Sequence, residues 1–401
     1  MFHTDIAIIG GGIMGCSLAW HLARSGAKVS LLERATIAAG ASGRTGALLR
    51  QHYSNRPEAG LAHYSLKTFA SWGEIVGDDC GFTKSGLVVP IEAGPDADSN
   101  LDRLRRNISM QREIGIDTHL ISPPELQELQ PSAQIADVLA AAFEPSSGYV
   151  DAIAATRSMA TAARLEGADI YERRRVTGIA SSGGHVTGVQ TDHESIVADV
   201  VVCAAGPWSN PILSTVGLTI PLTALRVQVV VLQQPLSFDE PLLSYIDTSA
   251  GMFCRAWGRG TLLVGVAGGD QHDFADPDNF DPRNDEEYPD LAIAAISRRI
   301  PAMAGATYLH GHAGLYDMTP DGHPIIGPAG PDGLYLMLGF NGAGFKKGPA
   351  VGQCLAELIL SGAAKLVDLS PFALERFGKE GWQEPWSDTE YTLATDFGRR
   401  L

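Results

Sequence analysis

Asp5-Ile6-Ala7-Ile8-Ile9-Gly10-Gly11-Gly12-Ile13-Met14-Gly15 is the stretch that decides the fold of this 401-residue chain. Ile6 to Ile9 is an uninterrupted apolar run, as expected of a strand covered on both faces of a parallel sheet. Gly10 permits a tight turn, Gly12 lets backbone approach a pyrophosphate, and Gly15 lets the next helix close on the sheet. The N-terminus of that helix presents unpaired N–H groups and a partial positive charge to the phosphates. Gly26 is expected to end the helix and residues 28–32 to form the next strand. Glu33 follows Gly15 by 18 residues, near the spacing of a ribose-binding acid. A plain glycine turn explains the glycines but not the strand, helix and acid around them. The unit predicts a cofactor carrying a pyrophosphate and an adenosine, and therefore redox chemistry.

The rest of the composition narrows the partners. Hydrophobic residues make up 45% and charged residues 19%, an ordinary globular balance with length for two or three domains. The net charge of −16 argues against nucleic acid or an anionic membrane as partner. The run Arg173-Arg174-Arg175 suits a solvated helix end or strand start. Five scattered cysteines without a CxxC predict no disulfide framework and no metal site, and favour a reducing compartment. The uncharged stretch 6–20 is 15 residues long, short of the roughly 18 that a membrane span needs. With the first strand beginning by residue 5 there is no room for a signal peptide, so a soluble, cytoplasmic protein is expected.

Beyond Glu33 comes a small-residue loop, Ala38-Ala39-Gly40-Ala41-Ser42-Gly43-Arg44-Thr45-Gly46, followed by Arg50-Gln51-His52-Tyr53. Periodicity predicts helices over 58–75 and 98–114, and another short one after Ser122. Asp151 is placed to cap a helix ending near Gly167. A hairpin is expected over 176–190, a strand over 198–206, long strands over 222–232 and 261–266, and an exposed loop over 267–289. A final strand, 333–339, runs into a glycine-rich turn and a helix over 349–360. Strand–turn–helix units therefore stand at both ends of the chain with β-rich material between them.

Four segments together resemble the D-amino-acid-oxidase-like family of FAD-dependent oxidoreductases, in its sarcosine oxidase and dimethylglycine dehydrogenase branch. They are the N-terminal glycine unit with Glu33; Ala41-Ser42-Gly43-Arg44; the strand 200–206 with Pro207-Trp208-Ser209; and a C-terminal pair. The pair is Gly314-Leu315-Tyr316-Asp317-Met318-Thr319-Pro320-Asp321-Gly322-His323-Pro324-Ile325-Ile326-Gly327 and Gly339-Phe340-Asn341-Gly342-Ala343-Gly344-Phe345-Lys346. The resemblance implies an α/β fold: a Rossmann-like FAD-binding domain, discontinuous in sequence (1–85, 147–215 and 310–380), and a substrate domain with a large mixed β-sheet (86–146 and 216–309). Residues 381–401 are expected to form a C-terminal tail. It also implies cofactor contacts from Gly10, Gly12, Ile13, Met14, Gly15, Glu33, Arg34, Ser42, Gly43, Arg44, Val176, Ala204, Gly206, Trp208, Gly314, Gly342, Gly344, Phe345 and Lys346. Trp208 suits a core anchor equally well.

The same resemblance places Arg50 and Lys346 where this branch holds a substrate carboxylate, and Tyr316 where it faces the substrate. A guanidinium suits bidentate carboxylate capture and a lysine adds a compact charge. Arg50 in an ordinary surface ion pair and Tyr316 as simple packing are the alternatives. His52, His310, His312 and His323 are bases by residue type, and none is assigned a role. Two departures stand out. The branch's covalent flavin attachment uses a cysteine near the position of Gly314, and no cysteine lies between 254 and 354, so non-covalent FAD is expected. The strand 261–266 lacks the lysine that promotes reaction with oxygen, which favours a dehydrogenase or a slow oxidase. The expected activity is oxidation of a secondary, N-methylated or D-amino acid, with O2 or a carrier protein as electron acceptor. The alternatives are a 2-hydroxy acid substrate and a flavin-carrying subunit of a multi-subunit dehydrogenase. Selectivity is expected from loops near 245–257.

Overall fold

In the computed structural model, residues 2–266 and 273–378 are described. The expected tail at 381–401 lies outside them. The N-terminal apolar run is the strand Phe2–Ile9, which pairs in parallel with Val29–Leu32 on one side and Ser195–Cys203 on the other. Asp169–Tyr171 continues the sheet in parallel beyond Val29–Leu32. Ser195–Cys203 changes neighbours along its length. Its first half meets the antiparallel hairpin Val176–Ser182 and His185–Thr191, and its second half meets Leu334–Leu338 in parallel. With Ile325–Pro328 at the end, the sheet has eight strands. The helix Ile13–Arg24 packs against both Ala152–Leu165 and Gly348–Ser361, so the two ends of the chain build one layer. At the second of these contacts a Cβ on Gly352 would lie 2.2 Å from Ser17 Oγ, so only glycine lets the helices come this close.

A second eight-stranded sheet runs in the order Thr307–Met318, Thr223–Gln233, Thr261–Val266, Met252–Gly258, Ser244–Asp247, Leu87–Glu92, Val138–Glu144, His119–Ile121. Its neighbours are antiparallel except for the parallel pair Ser244–Asp247 and Leu87–Glu92, which makes it mixed. A small third sheet joins Leu48–Leu49 and Thr83–Lys84 through Gly148–Tyr149.

Three expectations need correction. Thr307–Met318 pairs along its length with Thr223–Gln233, so residues 310–318 belong to the second sheet and the boundary expected at 309/310 cuts a strand. Two glycines and two histidines in that strand hide its β character. The helix expected over 58–75 is two, Arg56–Ala70 and Trp72–Ile75, broken at Ser71. The break lets Trp72 stack on Phe69 at 5.1 Å and donate to Ser158 Oγ at 2.9 Å. The loop expected over 267–289 gives way at its end to the helix Tyr288–Arg299, which covers the second sheet, while 267–272 lie outside the described residues.

Candidate active site

The glycine turn sits at the carboxyl ends of the parallel strands, the position where open α/β sheets bind ligands. Gly10 has φ +113°, and a Cβ there would lie 2.4 Å from the Ala204 carbonyl oxygen. On Gly15 it would lie 2.0 Å from the Gly10 carbonyl, and on Gly12 2.9 Å from Ser42 Oγ. The helix Ile13–Arg24 starts without a side-chain cap on its N-cap residue or an acid in its first turn. Its Ile13 N–H donates to Ser42 Oγ at 2.9 Å. The Glu33 carboxylate accepts from Gly11 N at 2.7 Å and from Ala35 N at 2.8 Å. Arg174 N donates to the Glu33 carbonyl at 2.8 Å, which brings the buried Val176 alongside. Ala204 N donates to Ile9 O at 2.9 Å, and Gly206 opens the short turn Gly206–Trp208. Arg34 pairs with Asp278 at 2.6 Å and stacks 4.3 Å from the Trp208 ring, whose Nε1 donates to the same aspartate. Backbone closed to a Cβ, a helix start with no acid in its first turn and a carboxylate at the second strand fit an adenine dinucleotide.

A cavity opens between the second sheet, the segment 45–50 and the C-terminal turn 341–346. Thr45, Ala47 and Arg50 line it from the N-terminal segment, and Asn341, Gly342, Phe345 and Lys346 from the C-terminal turn. Val227, Gln228, Ile246, Phe253, Val266 and Tyr316 line it from the second sheet. Gly342 has φ +74°, and a Cβ there would lie 2.4 Å from the Tyr316 ring, so the turn presses directly on the aromatic face. A Cβ on Gly344 would lie 3.4 Å from Met14 Cε, and one on Gly314 3.2 Å from Arg44 Cβ. The Asp317 carboxylate anchors the turn by accepting from Gly339 N at 2.7 Å and Phe340 N at 3.2 Å. Burial pushes its pKa up to about 6 despite those bonds. Ser42 and Gly43 lie in the turn Ala41–Arg44, where a Cβ on Gly43 would strike the Ala38 carbonyl.

Arg50 is 7% exposed, and its Nη1 donates to the His52 carbonyl. Its Cζ and the Lys347 Nζ each lie 4.1 Å from the centroid of the buried Tyr53 ring. Lys347 is fully buried and donates to Glu58, whose other oxygen meets His323 Nδ1 at 3.0 Å and Asn55 Nδ2 at 2.9 Å. Burial opposes charge on Glu58, but Lys347 and His323 outweigh it and hold its carboxyl well below the usual range. Lys346, the next-door residue, has no hydrogen bond or ion pair among the described residues. Burial, then Arg50 and Lys347, lower its ammonium pKa well below the usual value, against a weaker pull from Glu58.

The structure thus brings Arg50, Lys346 and Tyr316 to one cavity. None of the four histidines lines it; burial and Arg50 push His52 down to about 3, leaving it neutral. Val227, Gln228 and Asn341 were not anticipated. Gln228 lies between Val227 and Val229 in the strand Thr223–Gln233, a buried polar position that only the fold explains. Around 245–257 the cavity is lined by Ile246, Met252 and Phe253, on strands and not on the loops expected. The buried Glu58–Lys347–His323 group was also missed, since its members are far apart in sequence. Among the described residues no helix is long and apolar enough to cross a membrane, and no cluster of three metal-binding side chains occurs.

Comparison with known proteins agrees with this architecture. The model of a family described as FAD dependent oxidoreductase matches residues 5–358. The chain is 27% identical to sarcosine oxidase subunit beta from Arthrobacter sp, over 93% of this chain and 91% of that protein. It is 28% identical to the mitochondrial pyruvate dehydrogenase phosphatase regulatory subunit of Mus musculus, covering 94% of this chain but spanning only 43% of that protein's length. Among solved structures, L-proline dehydrogenase from P. horikoshii superposes with a TM-score of 0.85 at 28% identity, covering 94% of this chain and 98% of the other.

Proposed function

The chain belongs to the FAD dependent oxidoreductase family, and from that premise we propose that it oxidises the C–N bond of a secondary, N-methylated or D-configured amino acid to an imine, which water hydrolyses. The observation that carries this is the cavity itself: two basic side chains, Arg50 and Lys346, line it, and among the described residues no carboxylate does. An amino acid carboxylate meets both, and the apolar wall of Ile246, Phe253 and Val266 receives the substrate's carbon skeleton. Held this way, the C–H bond beside the nitrogen is oriented for transfer, and positioning of this kind contributes several kcal/mol.

The pyrophosphate of FAD would meet the start of Ile13–Arg24 with Ser42, Gly43 and Arg44, and Glu33 would hold its ribose, with Val176 by the adenine. When bound, FAD supplies the two-electron acceptor. Gly344, Phe345 and Lys346 offer backbone to its ring. All five cysteines are buried and none lines the cavity, which supports non-covalent attachment.

Anaerobic titration of the FAD-loaded protein with amines, N-methyl amino acids, D-amino acids and 2-hydroxy acids tests this through loss of flavin absorbance. Bleaching only by hydroxy acids, or by nothing, rejects the reading; admitting air then separates oxidase from dehydrogenase. A second reading, a flavin-carrying subunit of a dehydrogenase complex, draws support from two of the relatives above, each of which is itself a subunit. Isolation of a stable heteromer would favour it.

A further inference from the structure

Lys346 and Lys347 are neighbours with opposite electrostatic situations. Lys347 is fully buried yet ion-paired to Glu58. Lys346 is half-buried at the cavity wall and has no such partner among the described residues. The groups around it are Lys347 on its own turn, Arg50 from the segment after Leu48–Leu49, Glu58 from Arg56–Ala70, and Tyr316 from Thr307–Met318. Gln228 and Asn341, also at the cavity, are uncharged. Glu58 is already committed to Lys347, His323 and Asn55. A third cation here would have two cationic neighbours and restricted access to water, both of which disfavour charge.

An amino acid arrives as a zwitterion, and its ammonium group would enter a cavity with no carboxylate among its described lining residues. We propose that Lys346 stands unprotonated before substrate binds and takes the proton from the substrate's ammonium as the amino acid enters. The N–H bond of the substrate breaks, an Nζ–H bond forms, and the electron pair stays on the substrate nitrogen. The substrate becomes the neutral amine whose lone pair drives the oxidation, and Lys346 becomes the cation that holds the carboxylate beside Arg50. No oxidant takes part in this step. The inference rests on the amino acid reading above.

Proton-coupled binding tests it. Calorimetric titration of the FAD-loaded protein near about pH 8, in two buffers of different ionisation enthalpy, counts the protons exchanged. The probes are isobutyrate, which has no amine, and 2-aminoisobutyrate, which has no hydrogen at Cα. Isobutyrate is expected to take up about one proton per site and 2-aminoisobutyrate about none. Zero uptake with isobutyrate, together with release of about one proton by 2-aminoisobutyrate, would overturn the assignment.

Two variants add separate readouts. Lys346→Met should bind isobutyrate more weakly and without proton uptake, with FAD still bound; persistence of the uptake assigns the proton to another group and rejects the proposal. In Lys346→Arg, a permanent cation, kcat/KM should rise about tenfold per pH unit below the substrate's ammonium pKa, because only the pre-formed amine is used. A profile identical to that of the unsubstituted protein contradicts the proposal. Failure of every amino acid to bleach the flavin rejects the functional reading, whereas bleaching with the wrong proton count rejects only the role of Lys346.

Discussion

Replacing Lys347 by methionine would strand Glu58 and so tests whether the buried group behind the cavity is organised by charge. Glu58 and Lys347 are 4% and 0% exposed, so neither recovers hydration while the fold is intact. Two unit charges at about 3 Å attract by about 5 kcal/mol at an effective dielectric of about 20. Removing one member of a buried pair typically costs about 3–5 kcal/mol, because the other is left uncompensated. His323 stays 3.0 Å from Glu58 and shares the load, which places Lys347→Met at the lower end, about 3 kcal/mol. Glu58→Gln should cost a similar amount by stranding Lys347 beside the Tyr53 ring. The double substitution leaves no orphaned charge and should cost less than the sum of the singles by about 3 kcal/mol.

Urea unfolding at fixed excess FAD, followed by tryptophan fluorescence, gives these values from midpoint shifts at constant slope. Glu58 is held below its unfolded pKa, so its contribution is complete above about pH 4.3 and is lost as pH falls through the folded value. The gap between the unsubstituted protein and Lys347→Met should therefore narrow in acid. A cost below about 1 kcal/mol for Lys347→Met, or additive costs in the double variant, would refute a charge-organised network.

Arg50→Ala should weaken carboxylate binding by about 1.5–3 kcal/mol without loss of flavin, as read by inhibitor titration; unchanged affinity removes Arg50 from the clamp. Burial pushes Glu144 up to about 7 although Ser147 Oγ and Gln51 N donate to it. A raised folded pKa means stability present in acid and lost as pH climbs from about 4.3 through about 7, so Glu144→Gln should flatten that slope and stabilise by up to about 3 kcal/mol at pH 8. Parallel urea-midpoint profiles for the two proteins would show that Glu144 does not titrate there. Gly342→Ala forces a left-handed residue and a methyl group against Tyr316, a strain of about 1–3 kcal/mol, and should lower substrate affinity more than FAD content. Equal affinity would mean that the turn has room to move.

The nucleotide half of the fold was legible because its signals are local. A buried strand, a glycine turn, a helix and an acid follow one another within 33 residues. Arg50 and Lys346 were named only through the resemblance, since nothing near either residue reveals that sheet packing puts them on one cavity. The second sheet was harder to read. Thr307–Met318 carries glycines where close backbone contact needs them, so its strand character emerges only from pairing with Thr223–Gln233. Glu58 opens the helix expected over 58–75, and nothing local marks it as buried; its ion-pair partners Lys347 and His323 arrive from 289 and 265 residues away.

The packing of Gly348–Ser361 onto Ile13–Arg24, with Ser17 Oγ donating to the Pro349 carbonyl 332 residues later, also constrains the timing of maturation. A nascent chain leaves the ribosome at roughly 5–20 residues per second. The opening strand and turn therefore wait tens of seconds before the helix that closes over them has been synthesised. Stable flavin loading is therefore expected only once that helix is made, and messages truncated before it should yield colourless, protease-sensitive products.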